Sequence, residues 1–209
     1  MLDVVTVGET QVLFSPKGYL RLDQAHELEV NAAGAESNVA VAAARLGMRA
    51  GWISKLPDHP LSRLWSPQEA AACLTEPLPS VSILYCGRAD AERVFGLTGE
   101  PETVAQAFQE KFGIPTVVLT LGNRGSLALA DRIYRQRRVH RVEMVDPLGA
   151  GDAFAAGFLC GYLEDGVQRG LDLGGATAAL DCTIVGDAAF ITRAEVEELL
   201  ASEDQEIQR

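Results

Sequence analysis

Short apolar runs alternate with longer helix-like segments along the chain. The clearest run is Thr116–Leu121 (TVVLTL), which lies between Pro115 and Gly122 and is typical of a strand buried on both faces of a parallel sheet. Further strands are predicted at Asp3–Gly8, Glu27–Asn31, Arg49–Leu56, Val81–Cys86, Ser126–Ala130 and Ile133–Val139. Helices are predicted at Gly34–Gly47, Ser66–Thr75, Ala89–Phe95, Glu102–Phe112, Ala150–Leu163, Val167–Cys182 and Arg193–Ala201. This order predicts an α/β fold in which helices cover both faces of a sheet.

Length and charge narrow the class of protein. The 209 residues, 47% of them hydrophobic, suit a single globular domain. The net charge of −11 would repel nucleic acid and an anionic membrane, although local donors in a cleft could still bind an anionic metabolite. The N-terminal MLDVVTVGET is not a signal peptide, and the longest apolar stretch, Ala153–Leu163, is too short to cross a bilayer. A cytoplasmic location is therefore expected.

The strongest chemical signal is the segment Val145–Leu159, VDPLGAGDAFAAGFL. It predicts a strand that ends near Asp146, a glycine turn, and a helix that carries Asp152 in its first turn. Glycines at such a turn let backbone N–H groups approach an anion closely, and the helix N-terminus adds partial positive charge. Such a nest suits the charge that develops in phosphoryl transfer, and a carboxylate beside it can accept the proton of an attacking hydroxyl.

Two other interpretations of this segment stay open on spacing alone. Gly149-Ala150-Gly151 could begin a dinucleotide-binding fingerprint, but the third glycine position of that fingerprint is Phe154, so the match is weak. Alternatively, Asp152 only complements the helix dipole and the glycines only turn the chain, because Gly-x-Gly before a helix is common.

Four segments, in order along the chain, resemble the ribokinase (PfkB-type) family of carbohydrate kinases. GAESNVAVAAARLG is similar to the family's N-terminal signature, VVLTLGNRGSLAL to its nucleotide loop, and DPLGAGDAFAAGFL to its C-terminal signature. ALDCTIVGDAAFITRAEVEELL resembles the C-terminal segment of the 2-keto-3-deoxygluconate kinase branch. The resemblance implies a ribokinase-like three-layer sandwich with a mostly parallel central sheet. It also implies ATP-dependent phosphorylation of a sugar or sugar-acid hydroxyl, with Mg²⁺ as the metal.

The resemblance further implies roles for individual residues. The catalytic base and the anion hole match Asp152, Gly149, Ala150 and Gly151. Nucleotide contacts are implied for Thr120, Gly122, Gly125 and Gly151. Sugar contacts are implied for Gly34, Asn38 and Asp187, although Asn38 could instead be a packing residue and Asp187 a turn-forming one. The metal is expected at Asp90, which stands where the family has a glutamate.

The resemblance is interrupted in the middle of the chain. Relatives carry lid strands, several sheet strands and residues directed at the sugar acid between the segments that resemble Trp52–Lys55 and Leu64–Ser66. Here one segment follows the other almost directly. The chain is therefore expected to be one truncated domain, 1–209, which lacks the β-lid and has an internal deletion near Leu61–Ser62. Pro147 and Gly175 also replace a usual threonine and a usual asparagine.

Three functions remain compatible with such a chain. It could be an ATP-dependent kinase of a sugar or sugar acid, a non-catalytic nucleotide-binding or interaction protein, or a deletion product that folds poorly. Its expected partners are a small sugar or sugar acid and ATP. A homo-oligomer is also compatible with the family, although many members pair through the lid.

Overall fold

The computed structural model describes residues 2–8, 10–18, 22–53, 75, 77–136, 139–202 and 206–207. Its strands are β1 Val4–Val7, β2 Gln11–Pro16, β3 Leu28–Ala33, β4 Ala50–Ile53, β5 Ile83–Gly87, β6 Thr116–Thr120, β7 Ser126–Leu129, β8 Ile133–Arg135, β9 Arg141–Val142 and β10 Glu206–Ile207. Its helices are α1 Ala35–Arg45, α2 Arg88–Phe95, α3 Pro101–Phe112, α4 Ala150–Asp181 and α5 Arg193–Ala201. In this part of the chain, no helix is both long enough and apolar enough to span a bilayer.

The largest sheet has four strands in the order β5-β6-β7-β8. The β5–β6 pair is parallel, whereas β6–β7 and β7–β8 are antiparallel. Leu119 of β6 packs with the helices α2 and α3 on one face, and Val118 of the same strand packs with Phe154 of α4 on the other. The predicted α/β fold with three layers is thus confirmed, and the pairing in its four-stranded sheet is mixed.

A second core joins α1, α4 and α5 beside the parallel pair β1–β4. Helix α4 bends at Asp165 and Gly166, whose backbone angles are not helical, so its two halves pack against each other. This packing is close because glycines lie at the crossing: a Cβ on Gly157 would lie 2.5 Å from Oγ1 of Thr177. The bend agrees with the two separate helices predicted for this region, and it brings the end of α4 back towards its beginning.

The antiparallel pair β2–β3 stands apart from the other sheets. Its register places Phe14 opposite Val30 and Pro16 opposite Leu28, so one face of the pair is apolar. Phe14 is 43% exposed and Val30 is 65% exposed. Strand β2 was not predicted, because QVLFSP shows no regular alternation and ends in proline.

Most other predicted elements are confirmed to within a few residues, and α5 has the predicted bounds. The predicted helix Ser66–Thr75 lies outside the described residues except for Thr75. The last residues of the predicted strand Arg49–Leu56 and the proposed junction at Leu61–Ser62 lie outside them entirely.

Candidate active site

The start of α4 meets two other segments of the chain at a glycine turn. Gly149, the residue before α4, has a φ of +81°, which favours glycine. A Cβ at this position would lie 2.2 Å from the carbonyl oxygen of Asp187, in the turn that follows α4. Only glycine therefore lets the turn at 149 approach the turn at 187 this closely.

The backbone at this turn forms a cradle, which we define as Gly149, Ala150 and Gly151. The amides of Gly149 and Gly151 make no hydrogen bond within the described part of the chain, while the amide of Ala150 is 3.4 Å from the carbonyl oxygen of Pro147. A Cβ on Gly151 would meet no atom within 4 Å, so open space lies beside this residue. Free amides at a helix N-terminus beside open space fit an oxyanion of a phosphate.

Asp152 lies in the first turn of α4 and is held by Asn38 of α1. The side-chain amide of Asn38 is buried and donates a hydrogen bond of 3.0 Å to Oδ2 of Asp152. Burial raises the pKa of Asp152 above its ordinary value; the hydrogen bond from Asn38 opposes this shift, and the nearby charges of Asp187 and Glu36 add to it. A carboxylate with a raised pKa is a stronger base towards a hydroxyl proton than an ordinary aspartate.

The turn after α4 is tied to the same site by two aspartates. Oδ2 of Asp187 accepts a hydrogen bond of 3.3 Å from the backbone N–H of Gly34, at the start of α1. Asp146 accepts hydrogen bonds from the amides of Leu148 (3.0 Å) and Gly186 (3.2 Å). Asp146 therefore fixes the segment before α4 to the turn after it.

Asp181, the last residue of α4, is a further carboxylate at this site. It is fully buried, and neither of its oxygens has a hydrogen-bond partner among the described residues. Its Oδ2 lies 3.3 Å from the position that a Cβ on Gly149 would occupy. Burial, followed by the charges of Asp152, Asp187 and Asp146, raises the pKa of Asp181 to about 7.

A second group of predicted residues lies at the carboxyl ends of β5 and β6. A cleft of about 630 Å³ is lined here by Thr120 and Gly122 together with the basic residues Arg88 and Arg124. Such a crevice is the usual binding place in an α/β sheet. Arg124 suits the charge of a nucleotide phosphate, whereas Arg88 is paired with Glu92 across 3.3 Å. The predicted nucleotide residue Gly125 follows directly after Arg124, with a φ of +83°.

Asp90, the predicted metal residue, lies at the same strand ends. Its Oδ2 is 3.0 Å from the position of a Cβ on Gly87, and Oγ1 of Thr120 is 3.9 Å from that position. Asp90 also pairs with Arg93 across 3.3 Å. Among the described residues, no cluster of three or more His, Cys, Asp or Glu side chains is suited to a metal ion. One carboxylate nevertheless fits Mg²⁺, which is commonly bound by one or two carboxylates together with phosphate oxygens.

Gln136 lies between the start of β7 and α4, and sequence reasoning did not identify it. Its side-chain amide lies where a Cβ on Gly175 of α4 would be, with Nε2 at 2.1 Å from that position. Its Oε1 accepts a hydrogen bond of 3.0 Å from Ser126, beside Gly125. The loss of a side chain at Gly175 therefore leaves room for an amide from a different segment.

The predicted site residues thus fall into two groups. The first consists of Gly34, Asn38, Gly149, Ala150, Gly151, Asp152 and Asp187. The second consists of Asp90, Thr120, Gly122 and Gly125. Asp146 belongs to the predicted signature but was given no role there. Asp181 and Gln136 carried no sequence signal of their own, because their roles depend on contacts between distant segments.

Comparisons with known proteins identify the family of this chain. A family model described as "pfkB family carbohydrate kinase" matches residues 1–64 and 60–194. The chain is similar to 2-dehydro-3-deoxygalactonokinase of Haloferax volcanii, with 28% identity over 315 aligned positions that cover 99% of each chain. It is also similar to 2-dehydro-3-deoxygluconokinase of Bacillus subtilis, with 45% identity over 60 residues that cover 29% of this chain and 18% of the relative.

Solved structures show the same fold at low sequence identity. The structure of 2-dehydro-3-deoxygluconokinase from Thermotoga maritima has a TM-score of 0.74 at 20% identity, covering 95% of this chain and 98% of the other. Ribokinase from the same organism has a TM-score of 0.75 at 17% identity, covering 97% and 100% of the two chains.

Proposed function

Because this chain belongs to the pfkB family of carbohydrate kinases, we propose that it transfers a phosphoryl group from ATP to a hydroxyl of a sugar or sugar acid. The sugar acid that we propose is of the 2-keto-3-deoxygluconate type. The family match and the two named sugar-acid kinase relatives support this substrate class. We also propose a cytoplasmic location, because the reaction draws on the ATP pool of the cell.

The first group of residues has the geometry for the acceptor end of the reaction. Asp152 accepts the proton of the attacking hydroxyl while Asn38 holds its carboxylate in place. The free amides of the cradle stabilise the negative charge on the phosphoryl group in transfer. Gly34 and Asp187 lie beside Asp152 and contact the sugar, and their mutual hydrogen bond keeps the substrate end of α1 close to the cradle.

The second group has the geometry for the nucleotide end. Thr120, Gly122 and Gly125 surround the ATP phosphates at the carboxyl end of β6. Asp90 would hold Mg²⁺, which supplies positive charge to the phosphate oxygens when it is bound. Gln136 adds a side-chain amide between this loop and α4.

One observation carries the proposal: a half-buried carboxylate, oriented by a buried amide, lies next to free helix-terminal N–H groups. A dipole-complementing aspartate would need no partner such as Asn38 and no raised pKa. The hydrogen bond of 3.0 Å to Asn38 and the burial of that amide therefore favour a base over a structural residue.

Two variants test the base and the cradle separately. Asp152→Asn is expected to lower substrate-dependent ADP release by at least about 100-fold, with little change in Mg·ATP binding. Gly151→Ala keeps the fold, since its methyl group meets no atom within 4 Å, yet that methyl group occupies open space beside the cradle. It is expected to weaken Mg·ATP binding without loss of stability. Equal ADP release by the wild type and Asp152→Asn would refute the kinase assignment.

We further propose that the chain lacks a central segment that its relatives contain. The family model matches in two pieces that meet at residues 60–64, and the predicted junction at Leu61–Ser62 lies within that interval. The alignment with the Haloferax volcanii relative spans 315 positions although this chain has 209 residues, so the relative contains a long stretch without counterpart here. A deletion scar in the nucleotide sequence at codons 61 and 62 would support this origin.

The second candidate function is a nucleotide-binding protein without turnover. It is favoured by the same two-piece match, because the residues at the cleft and the cradle lie after the junction and are retained. In this case Mg·ATP would raise the melting temperature of the protein while no ADP appears with 2-keto-3-deoxygluconate.

We propose that the chain forms a homo-oligomer through the apolar face of the β2–β3 pair. Phe14 and Val30 lie directly opposite each other on this face and are largely exposed, which leaves apolar surface and open strand edges for a second copy. Phe14→Ser is expected to shift the molecular mass in sedimentation from dimer to monomer. A monomeric wild type would refute the proposal.

A further inference from the structure

Asp181 is a buried acid that the proposed mechanism does not use. Its solvent exposure is 0%, and neither carboxylate oxygen has a hydrogen-bond donor among the described residues. An ionised carboxylate in such a place is strongly disfavoured, because burial removes its hydration and no partner replaces the lost water. The neutral, protonated acid is the form that this environment stabilises.

Asp181 lies directly against the cradle. Its Oδ2 is 3.3 Å from the position that a Cβ on Gly149 would occupy. Because Gly149 has no side chain, no atom of this residue separates the Asp181 carboxyl group from the backbone of the cradle. The backbone amides of the cradle are the groups that would meet a phosphate oxygen. A charge on Asp181 would therefore act on that phosphate across a few ångströms of protein interior.

The charged groups that act on Asp181 are all carboxylates. Asp146 belongs to the segment before α4, Asp152 to the first turn of α4, and Asp187 to the turn after α4. A second negative charge on Asp181 would add to a field that already opposes anion binding. Protonation of Asp181 removes its own negative charge, and so reduces the negative field at the cradle without any movement of the backbone.

The neighbouring helices α1 and α5 direct no described cation at Asp181. Glu36 of α1 is a further carboxylate, whose charge acts on Asp152. Arg45 of α1 donates its hydrogen bonds to backbone carbonyls at 190–191. Arg193 of α5 pairs with two glutamates, Glu164 of α4 and Glu197 of α5.

We propose that Asp181 is a positioning residue of the phosphate site: as a neutral acid it lets the cradle hold an anion, and as a carboxylate it expels the anion. The proposal rests on the proposed function, because it assumes that the cradle receives a phosphate. Since the pKa of Asp181 is raised to about 7, the two forms interconvert near neutral pH. The cradle thus binds phosphate below this pH and loses it above.

Binding of Mg·ATP in the absence of sugar, at pH 6 and pH 9, tests the proposal. Asp181→Asn has the same shape and stays neutral, and Asp172→Asn is the matched control, because Asp172 is a buried acid of the same helix that is hydrogen-bonded to Gln168. Comparison at one pH cancels the titration of the nucleotide itself. The wild type is expected to bind as tightly as Asp181→Asn at pH 6 and about tenfold or more weakly at pH 9. Asp172→Asn is expected to follow the wild type, and an equal ratio at both pH values would overturn the proposal.

Unfolding by urea gives a second readout that needs no ligand. A buried acid that stays protonated makes the wild type lose stability relative to Asp181→Asn as the pH rises from about 4 to about 7. A pH-independent stability difference overturns the proposal whether or not nucleotide binds. If Asp181→Asn does not fold, Asp181→Ser is the second neutral variant. Failure of the proposed function has a different signature: none of the variants nor the wild type binds Mg·ATP at pH 6, although the stability difference still grows with pH. That result would also refute the anion role of Asp181.

Discussion

Replacing Gly149 with alanine places a methyl group at the point where the cradle meets the turn after α4. Two separate effects are expected. The first is local, because alanine disfavours a φ of +81°. The second is tertiary, because the methyl carbon would lie 2.2 Å from the carbonyl oxygen of Asp187. That oxygen belongs to the backbone and cannot rotate away as a side chain could.

The size of each effect can be worked out separately. A non-glycine residue in the left-handed region costs about 1–2 kcal/mol. Forcing an extra carbon into a closely packed position typically costs another 1–3 kcal/mol. Gly149→Ala is therefore expected to lower the free energy of unfolding by about 2–5 kcal/mol, a large part of the ~5–15 kcal/mol of a typical domain. The same displacement of the cradle is expected to weaken Mg·ATP binding.

Gly113→Ala is the matched control for this experiment. Gly113 has a φ of +71°, but a Cβ there would meet no atom within 4 Å, so only the local effect applies. Urea unfolding of both variants is expected to show a loss of about 1–2 kcal/mol for Gly113→Ala and a clearly larger one for Gly149→Ala. An equal loss in the two variants would refute the close approach of the two turns.

Three further predictions concern other parts of α4. Gly157→Ala is expected to lower the free energy of unfolding by about 2–4 kcal/mol in urea, because its methyl group would lie 2.5 Å from Oγ1 of Thr177 and 2.9 Å from backbone atoms; a neutral effect would refute the close crossing. Asp181→Asn is expected to gain about 3 kcal/mol over the wild type between pH 5 and pH 8, because the acid keeps its proton up to a pKa of about 7 when folded and loses it near 3.8 when unfolded. Gly175→Ala is expected to displace the flexible amide of Gln136 and so to weaken Mg·ADP binding in calorimetry with little loss of stability; unchanged binding would remove Gln136 from the nucleotide site.

Much of the fold could be predicted because its signals are local. The run TVVLTL is buried on both faces of the sheet, and its boundaries at Pro115 and Gly122 gave the bounds of β6 to one residue. The helix Arg193–Ala201 has the predicted bounds, and the structure shows a local reason: Thr192 and Glu195 form a capping box at its start. Strand β2 was not predicted because its apolar residues form a recognisable apolar face only when they pair with β3.

The candidate site was predictable only in part, for a related reason. The glycine turn and Asp152 lie within one contiguous segment, so their proximity follows from the local sequence. The partner of Asp152, however, is Asn38, which lies 114 residues away along the chain. Asp181 looked like any polar residue near the end of a helix. Its burial against Gly149 results from the bend in α4 and the packing of its two halves.

The residues proposed for phosphoryl transfer and the lid that closes over the substrate in relatives belong to different segments of the sequence. The proposed base, its amide partner and the cradle lie at or next to α1 and α4, whose buried alanines Ala43 and Ala153 belong to one core. We propose that the segment that relatives carry in addition would join the chain near 61–62, between β4 and β5 in the sequence. Lids exclude water and position the substrate, so their loss lowers affinity and orientation without removing the base. A shortened chain of this kind is therefore expected to lose affinity for its sugar before it loses the geometry at Asp152.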